Sequence, residues 1–227
     1  AKELLTLRGE STMALSPASL VTRALHTTSD FPIILGNTVG RVLRDAYQAA
    51  PSGIRFCSQY QSDMKAIFGA NADRVLAQYP CNFWKPRQAE IDVITDFLFT
   101  CTARHTARAA APSSAVFRYF FTHGAAYGLE AGLGAYHSAE LAYVFRTFGA
   151  KAYLPTAGEQ TLAGNIEDYW GSLAATGSPA TGALGWPVYK QPTEQVLTLD
   201  TTLSTSTDVR PSLCNFWDSL YPAGIGG

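Results

Sequence analysis

The stretch from Pro86 to His123 constrains the fold more than any other. In "PRQAEIDVITDFLFTCTARHTARAAAP" (86–112), Ile91, Ile94, Phe97, Leu98 and Cys101 recur three or four apart, the spacing of one helix face. "SAVFRYFFTH" (114–123) follows at once, short and rich in aromatic and β-branched residues, which is the pattern of a buried strand. A long amphipathic helix feeding into a buried strand predicts α/β layering.

The flanking text extends that pattern. "SQYQSDMKAIFGANADRVLAQYP" (58–80) reads as two short helices, with Met64, Ile67, Phe68, Val75, Leu76 and Tyr79 as their apolar stripe. "GEQTLAGNIEDYWGSLAATGSP" (158–179) reads as a helix that stops at Gly177, with Pro179 just beyond. "QVLTLD" (195–200) alternates as an edge strand does, and "PSLCNFWDSLYP" (211–222) is a last turn or two of helix. Residues 1–51 read as a small helical unit. Pro17 follows a candidate N-cap at Ser16, and Ile34, Val39, Val42, Leu43 and Ala46 recur at helical intervals. Pro51–Arg55 is the expected boundary, giving segments 1–51 and 52–227.

Composition narrows the function. Of 227 residues, 47% are hydrophobic and 15% charged, so the chain has material for a sizeable core. Seventeen basic and 18 acidic side chains leave a net charge of −1, which offers no footprint for nucleic acid or an anionic membrane surface. No apolar run reaches the roughly 20 residues that span a bilayer, and the first residues show no signal-peptide pattern. Neither a metal-ligand spacing nor a phosphate-binding glycine loop occurs, so no metal or cofactor is expected. The four cysteines, 57, 81, 101 and 214, allow three pairings between which sequence spacing does not choose, and four free thiols are the simplest alternative.

His137 sits in "GAYHSAELAYVF" (134–145), between a small-residue turn and an apolar run. A lone histidine is more often a hydrogen-bonded structural residue than a catalyst. Glu140, three residues on, is either its neighbour on a helical turn or a surface or capping carboxylate. Tyr143, Phe145 and Phe148 read first as packed core and second as the lining of a pocket. His26, His105 and His123 carry no pattern that singles them out.

From about residue 56 to 222, six pieces in order, "TDFLFTCTARHTARAAA", "VFRYFFTH", "GAYHSAELAYVF", "YWGSLAATGSP", "WPVY" and "LCNFWDSL", resemble the C-terminal third of the type-B carboxylesterases and cholinesterases. The resemblance implies an incomplete α/β-hydrolase sheet with flanking helices, His137 as the histidine of a serine-esterase triad and Glu140 as a supporting acid. It also implies a Cys101–Cys214 disulfide, hence an oxidising, secreted or periplasmic setting. Cys57 and Cys81 are then expected as free thiols. Residues 16–55, above all "HTTSDFPIIL", resemble a segment of tailed-phage prohead-protease and capsid proteins instead. The join near residue 52 makes a chimaeric chain one alternative and a phage head protein a weaker one.

Serine esterases place the nucleophile on a G-x-S-x-G elbow ahead of the acid and the histidine. No such elbow occurs, and "GNTVGR" (36–41) has no acid near Gly40. The expectation is a carboxylic-ester hydrolase portion that supplies the histidine to a small ester once complemented by a missing N-terminal portion. By itself it is expected to be inactive, and an inactive esterase-derived module is the alternative.

Overall fold

In the computed structural model, described residues are 33–38, 56–84, 86–125, 134–151, 154–179, 182 and 184–224. A four-stranded sheet organises them: β1 (Ile33–Thr38), β2 (Val116–Phe121), β3 (Gln195–Leu199) and β4 (Ser204–Thr207), in that spatial order. The β1–β2 and β2–β3 pairs are parallel and β3–β4 is antiparallel. Parallel neighbours need crossovers, which helices supply. Before β2 come α1 (Cys57–Phe68), α2 (Ala72–Gln78) and a long helix made of α3 (Pro86–Ile94), a π-helical turn (Thr95–Thr100) and α4 (Cys101–Ala110). Between β2 and β3 come α5 (Leu141–Val144) and α6 (Ala157–Thr176), and α7 (Pro211–Leu220) closes the chain.

The long helix and β2 form where the sequence predicts, but the helix is interrupted by the π turn, and Leu98, expected on its buried face, is exposed. Helix α6 starts with Thr156, which accepts from the Glu159 N–H while Glu159 accepts from the Thr156 N–H, and it stops at Gly177, φ 77°. That reciprocal cap satisfies donors a helix start otherwise leaves open, and glycine adopts the left-handed stop without a Cβ clash.

Three expectations are corrected. Ile33–Thr38, read as helical, is a strand in register with Val116–Phe121, so the sheet ladder spans the expected boundary at residue 52. A short apolar run fits either period, and the valines that follow it imitate helical spacing. The rest of segment 1–51, with His26, lies outside the described residues. Second, Gln195–Leu199 is not an edge strand, because β4, all exposed Ser and Thr, pairs on its far side. A strand without apolar residues gives hydrophobic periodicity nothing to detect. Third, Cys57 and Cys81 are not free. They are bonded, Cα–Cα 5.8 Å, because α1 and α2 fold back and bring the start of one beside the end of the other. The Cys101–Cys214 bond is present, Cα–Cα 4.9 Å.

Among the described residues two large apolar clusters and a small third one, Ala107, Ala110, Val116 and Tyr189, make up the interior. One large cluster packs Phe117, Tyr119 and Phe121 of β2 and Leu197 and Leu199 of β3 against Leu162, Ile166 and Tyr169 of α6 and Trp186. The other large cluster gathers Tyr60, Met64, Val75 and Tyr79 around Trp217 and the Cys101–Cys214 bond. Between them Arg104, fully buried, reaches Asp208 at 2.8 Å, Asp218 at 2.7 Å and Asn215 at 3.0 Å, tying α4 to α7.

Candidate active site

The C-terminal ends of the parallel strands and the segment after β2 carry two histidines with different surroundings. Gly124 and Gly134 hold the two ends of the intervening segment together: a Cβ on Gly124 would lie 2.9 Å from the Gly134 Cα, and Gly134 has φ 70°. Close backbone approach of this kind admits only glycine. Three residues later the chain turns at His137. The Ala139 N–H donates to the Tyr136 carbonyl at 3.0 Å, and Ser138 takes φ 68°. A non-glycine residue there is conformationally strained, a cost that clusters at functional positions.

Tyr136 and Ala139 are buried on either side, which turns the His137 side chain outward and leaves it exposed. Its ring rests on Phe99, centroids 4.7 Å apart. Phe99 belongs to the π turn, whose extra residue shifts the following helix face and is a frequent mark of functional sites. Among the described residues no hydrogen bond engages either His137 nitrogen, so a lone pair is available to a proton outside the chain.

Glu140 is half-buried rather than on the surface. It accepts a long hydrogen bond, 3.4 Å, from the Tyr119 hydroxyl of β2. Burial raises its pKa, opposed by its own backbone N–H, the nearby His137 and the Tyr119 hydroxyl. Its Oε2 is buried with no hydrogen-bond partner among the described residues. The structure thus brings Glu140 near His137 electrostatically without a hydrogen bond between them. Tyr143 and Phe148 are core, as read, but Phe145 is exposed.

His123, which the sequence did not single out, has the more elaborate partners. Its Nδ1 lies 2.8 Å from Asp200 Oδ1 at the end of β3, and its Nε2 lies 2.8 Å from Glu159 Oε1 in the α6 cap. Thr122 also donates to Asp200, and Tyr143 to Glu159. Burial alone would raise the Asp200 pKa, but the hydrogen bonds from Thr122, His123 and the Thr201 N–H outweigh it and hold it below the usual range. Both nitrogens of His123 are taken up by carboxylate oxygens, so neither faces a position open to a substrate. It ties β2, β3 and α6 together at the base of the His137 segment. Its partners stand 77 and 36 residues away, beyond any local motif.

Behind the π turn, Trp217 Nε1–H donates to the Tyr79 hydroxyl, which donates to Asp96 Oδ2, and Arg210 pairs with Asp96 Oδ1 at 3.0 Å. Burial pushes the Asp96 carboxyl up to about 6, against the opposing pull of Arg210 and Tyr79. The folded chain therefore keeps a proton that the unfolded chain has released between about pH 4 and 6. The stability linked to this group is full below about pH 4 and lost as pH rises through 6, on the order of 3 kcal/mol. Asp96→Asn is expected to gain melting temperature relative to the parent between pH 4 and 7, by several degrees. Parallel melting curves with a constant offset would refute this.

Helices packed on a mainly parallel sheet, with a histidine turned outward beyond a strand end, define an α/β-hydrolase portion. The carboxylesterase family model matches residues 59–217, and the chain belongs to that family. It is 28% identical over 181 residues to the acetylcholinesterase of Bungarus fasciatus, covering 75% of this chain and 29% of that protein. It is 30% identical over 143 residues to the para-nitrobenzyl esterase of Bacillus subtilis (strain 168), covering 60% of this chain and 28% of that protein. Among solved structures, a thermophilic PNB esterase superposes with TM-score 0.70 at 21% identity, covering 88% of this chain and 40% of that one. The chain thus spans under a third of the curated relatives it matches. The phage likeness of residues 16–55 finds no support in these matches. Among the described residues no helix is long and apolar enough to cross a membrane, and two disulfides are compatible with an oxidising compartment.

Proposed function

We propose that this chain supplies the general-base histidine, His137, of serine-type carboxylic-ester hydrolysis, with nucleophile and oxyanion donors contributed by a complementary portion of the same fold. The observation that carries the reading is the contrast between the two histidines. His137 is exposed on a strained turn with its nitrogens unengaged among the described residues, whereas both nitrogens of His123 face carboxylates. In such a reaction an imidazole takes the serine proton as the hydroxyl attacks the acyl carbon, then returns it to the leaving alcohol. Glu140 is the supporting acid: in its ionised form the carboxylate close to His137 favours the imidazolium formed at the first step, while its burial pulls the other way. The substrate is a small carboxylic ester, no cofactor is needed, and the two disulfides support a secreted or periplasmic setting.

The chain contains no G-x-S-x-G elbow, so alone it is expected to show no saturable, organophosphate-sensitive hydrolysis of p-nitrophenyl acetate. Mixed or co-expressed with the elbow-bearing N-terminal portion of a carboxylesterase, it is expected to gain such activity. His137→Ala should then lower kcat at least about 10³-fold, since triad members act as a unit. Activity of the complemented pair that survives His137→Ala would remove the assignment. Failure of every complementing portion to restore turnover would favour the second reading, an esterase-derived module without catalysis, which the missing acid near Gly40 supports.

A further inference from the structure

Three hydrogen bonds shape the π turn beside His137. The Cys101 N–H reaches back five residues to the Asp96 carbonyl, and the Thr102 hydroxyl donates to the Phe97 carbonyl at 2.7 Å. The third comes from the sheet, where Arg118 Nη2 donates to the Thr100 carbonyl at 3.0 Å. Within this turn Phe97 packs on Trp217, centroids 4.9 Å apart, while Phe99 lies against the His137 ring.

Stability gives little account of Arg118. Its side chain is fully buried, yet Nε and Nη1 have no hydrogen-bond partner among the described residues, and Asp208 stands 3.7 Å from Nη1. A buried charge with unanswered donors costs stability, and a well-packed apolar side chain of similar volume often does better. Asp208 would not be stranded by such a change, because it keeps Arg104 at 2.8 Å.

What Arg118 does is tie one atom of the π turn to a fixed strand. Its own backbone pairs with Leu35 in the β1 ladder, and its carbonyl accepts from Trp186 Nε1–H at 3.0 Å. The guanidinium carries that fixed position to the Thr100 carbonyl, next to Phe99 in the chain. Among the described residues no hydrogen bond orients the His137 imidazole, and the ring it rests on is Phe99. A general base misplaced by about an ångström loses much of its rate.

We infer that Arg118 is a positioning residue for His137: it fixes the π turn through Thr100, and the turn sets Phe99 against the imidazole. Its meaning for catalysis rests on His137 being the general base, whereas the positioning is measured in this chain alone. The test is proton NMR, following nuclear Overhauser contacts between the Phe99 and His137 rings and the His137 Cε1–H resonance. Phe99→Leu defines where that resonance lies without the neighbouring ring. Arg118→Met and Arg118→Gln are expected to lose the contacts and to move the resonance at least halfway to that position. Arg118→Lys should hold it near its parent position, since an ammonium still donates to the carbonyl. In the complemented enzyme, Arg118→Met should lower kcat about tenfold or more with KM little changed. The inference is overturned if the Met or the Gln variant, with a native circular-dichroism spectrum, keeps the parent contacts and resonance. Complemented activity that ignores His137→Ala would fail the functional reading instead, and the NMR comparison would still decide the positioning.

Discussion

Arg104→Met is expected to destabilise the chain by about 3–5 kcal/mol, measured as a lowered midpoint of urea unfolding. The reason lies in what the guanidinium leaves behind. Asp208 and Asp218 each sit within 2.8 Å of it, and Asn215 spends its side-chain oxygen on the same fork. Asp218 keeps Arg108 at 2.8 Å, so it is not stranded, whereas Asp208 falls back on Arg118 at 3.7 Å. Breaking a buried pair from one side costs more than the pair contributes, because the desolvated partner stays charged. Against a typical total of 5–15 kcal/mol, that loss would leave little margin. Arg104→Lys should recover part of it, since an ammonium keeps the charge but not the planar fork. If Arg104→Met unfolds within about 0.5 kcal/mol of the parent, the cluster does not hold α4 to α7.

Removing the Cys101–Cys214 bond with paired serines is expected to cost about 4–5 kcal/mol, against about 3 for Cys57–Cys81. The larger bond closes a separation of 113 residues and the smaller one 24, and a longer closed loop removes more freedom from the unfolded chain. Location adds to the difference. Cys101 and Cys214 are buried beside Trp217, so the serines would put two hydroxyls into an apolar cluster. Unfolding midpoints of the two double variants rank the bonds directly. A greater loss from the Cys57, Cys81 pair would contradict the argument.

Local pattern carried the helices and the central strand, because α3, α4 and β2 bury faces whose spacing is visible in the residues themselves. It failed where a strand's identity depends on its neighbours. Ile33–Thr38 is a strand because Val116–Phe121 lies beside it, and Ser204–Thr207 because Gln195–Thr198 does. The π turn also left no trace in the pattern, although it is what presents Phe99 to His137. At the site, the resemblance of "GAYHSAELAYVF" singled out the exposed histidine, while the His123 contacts needed three-dimensional closure to appear. The Cys57–Cys81 pairing was hidden for the same reason, since two cysteines 24 residues apart meet only after α1 and α2 fold back.

The β1–β2 ladder has a practical bearing on where the chain can be cut. A shortened chain confined to the family-matched span, 59–217, would discard Ile33–Thr38 and uncover one whole side of "VFRYFF". The exposed row of N–H and C=O groups would then lie on a six-residue strand that is apolar apart from Arg118, the kind of edge that can pair with another molecule. The same cut removes Cys57 and leaves Cys81 with an unmatched thiol, free to cross-link two such molecules once they meet. Ile33–Thr38, outside the recognisable family segment, thus caps the edge that such a cut would lay bare.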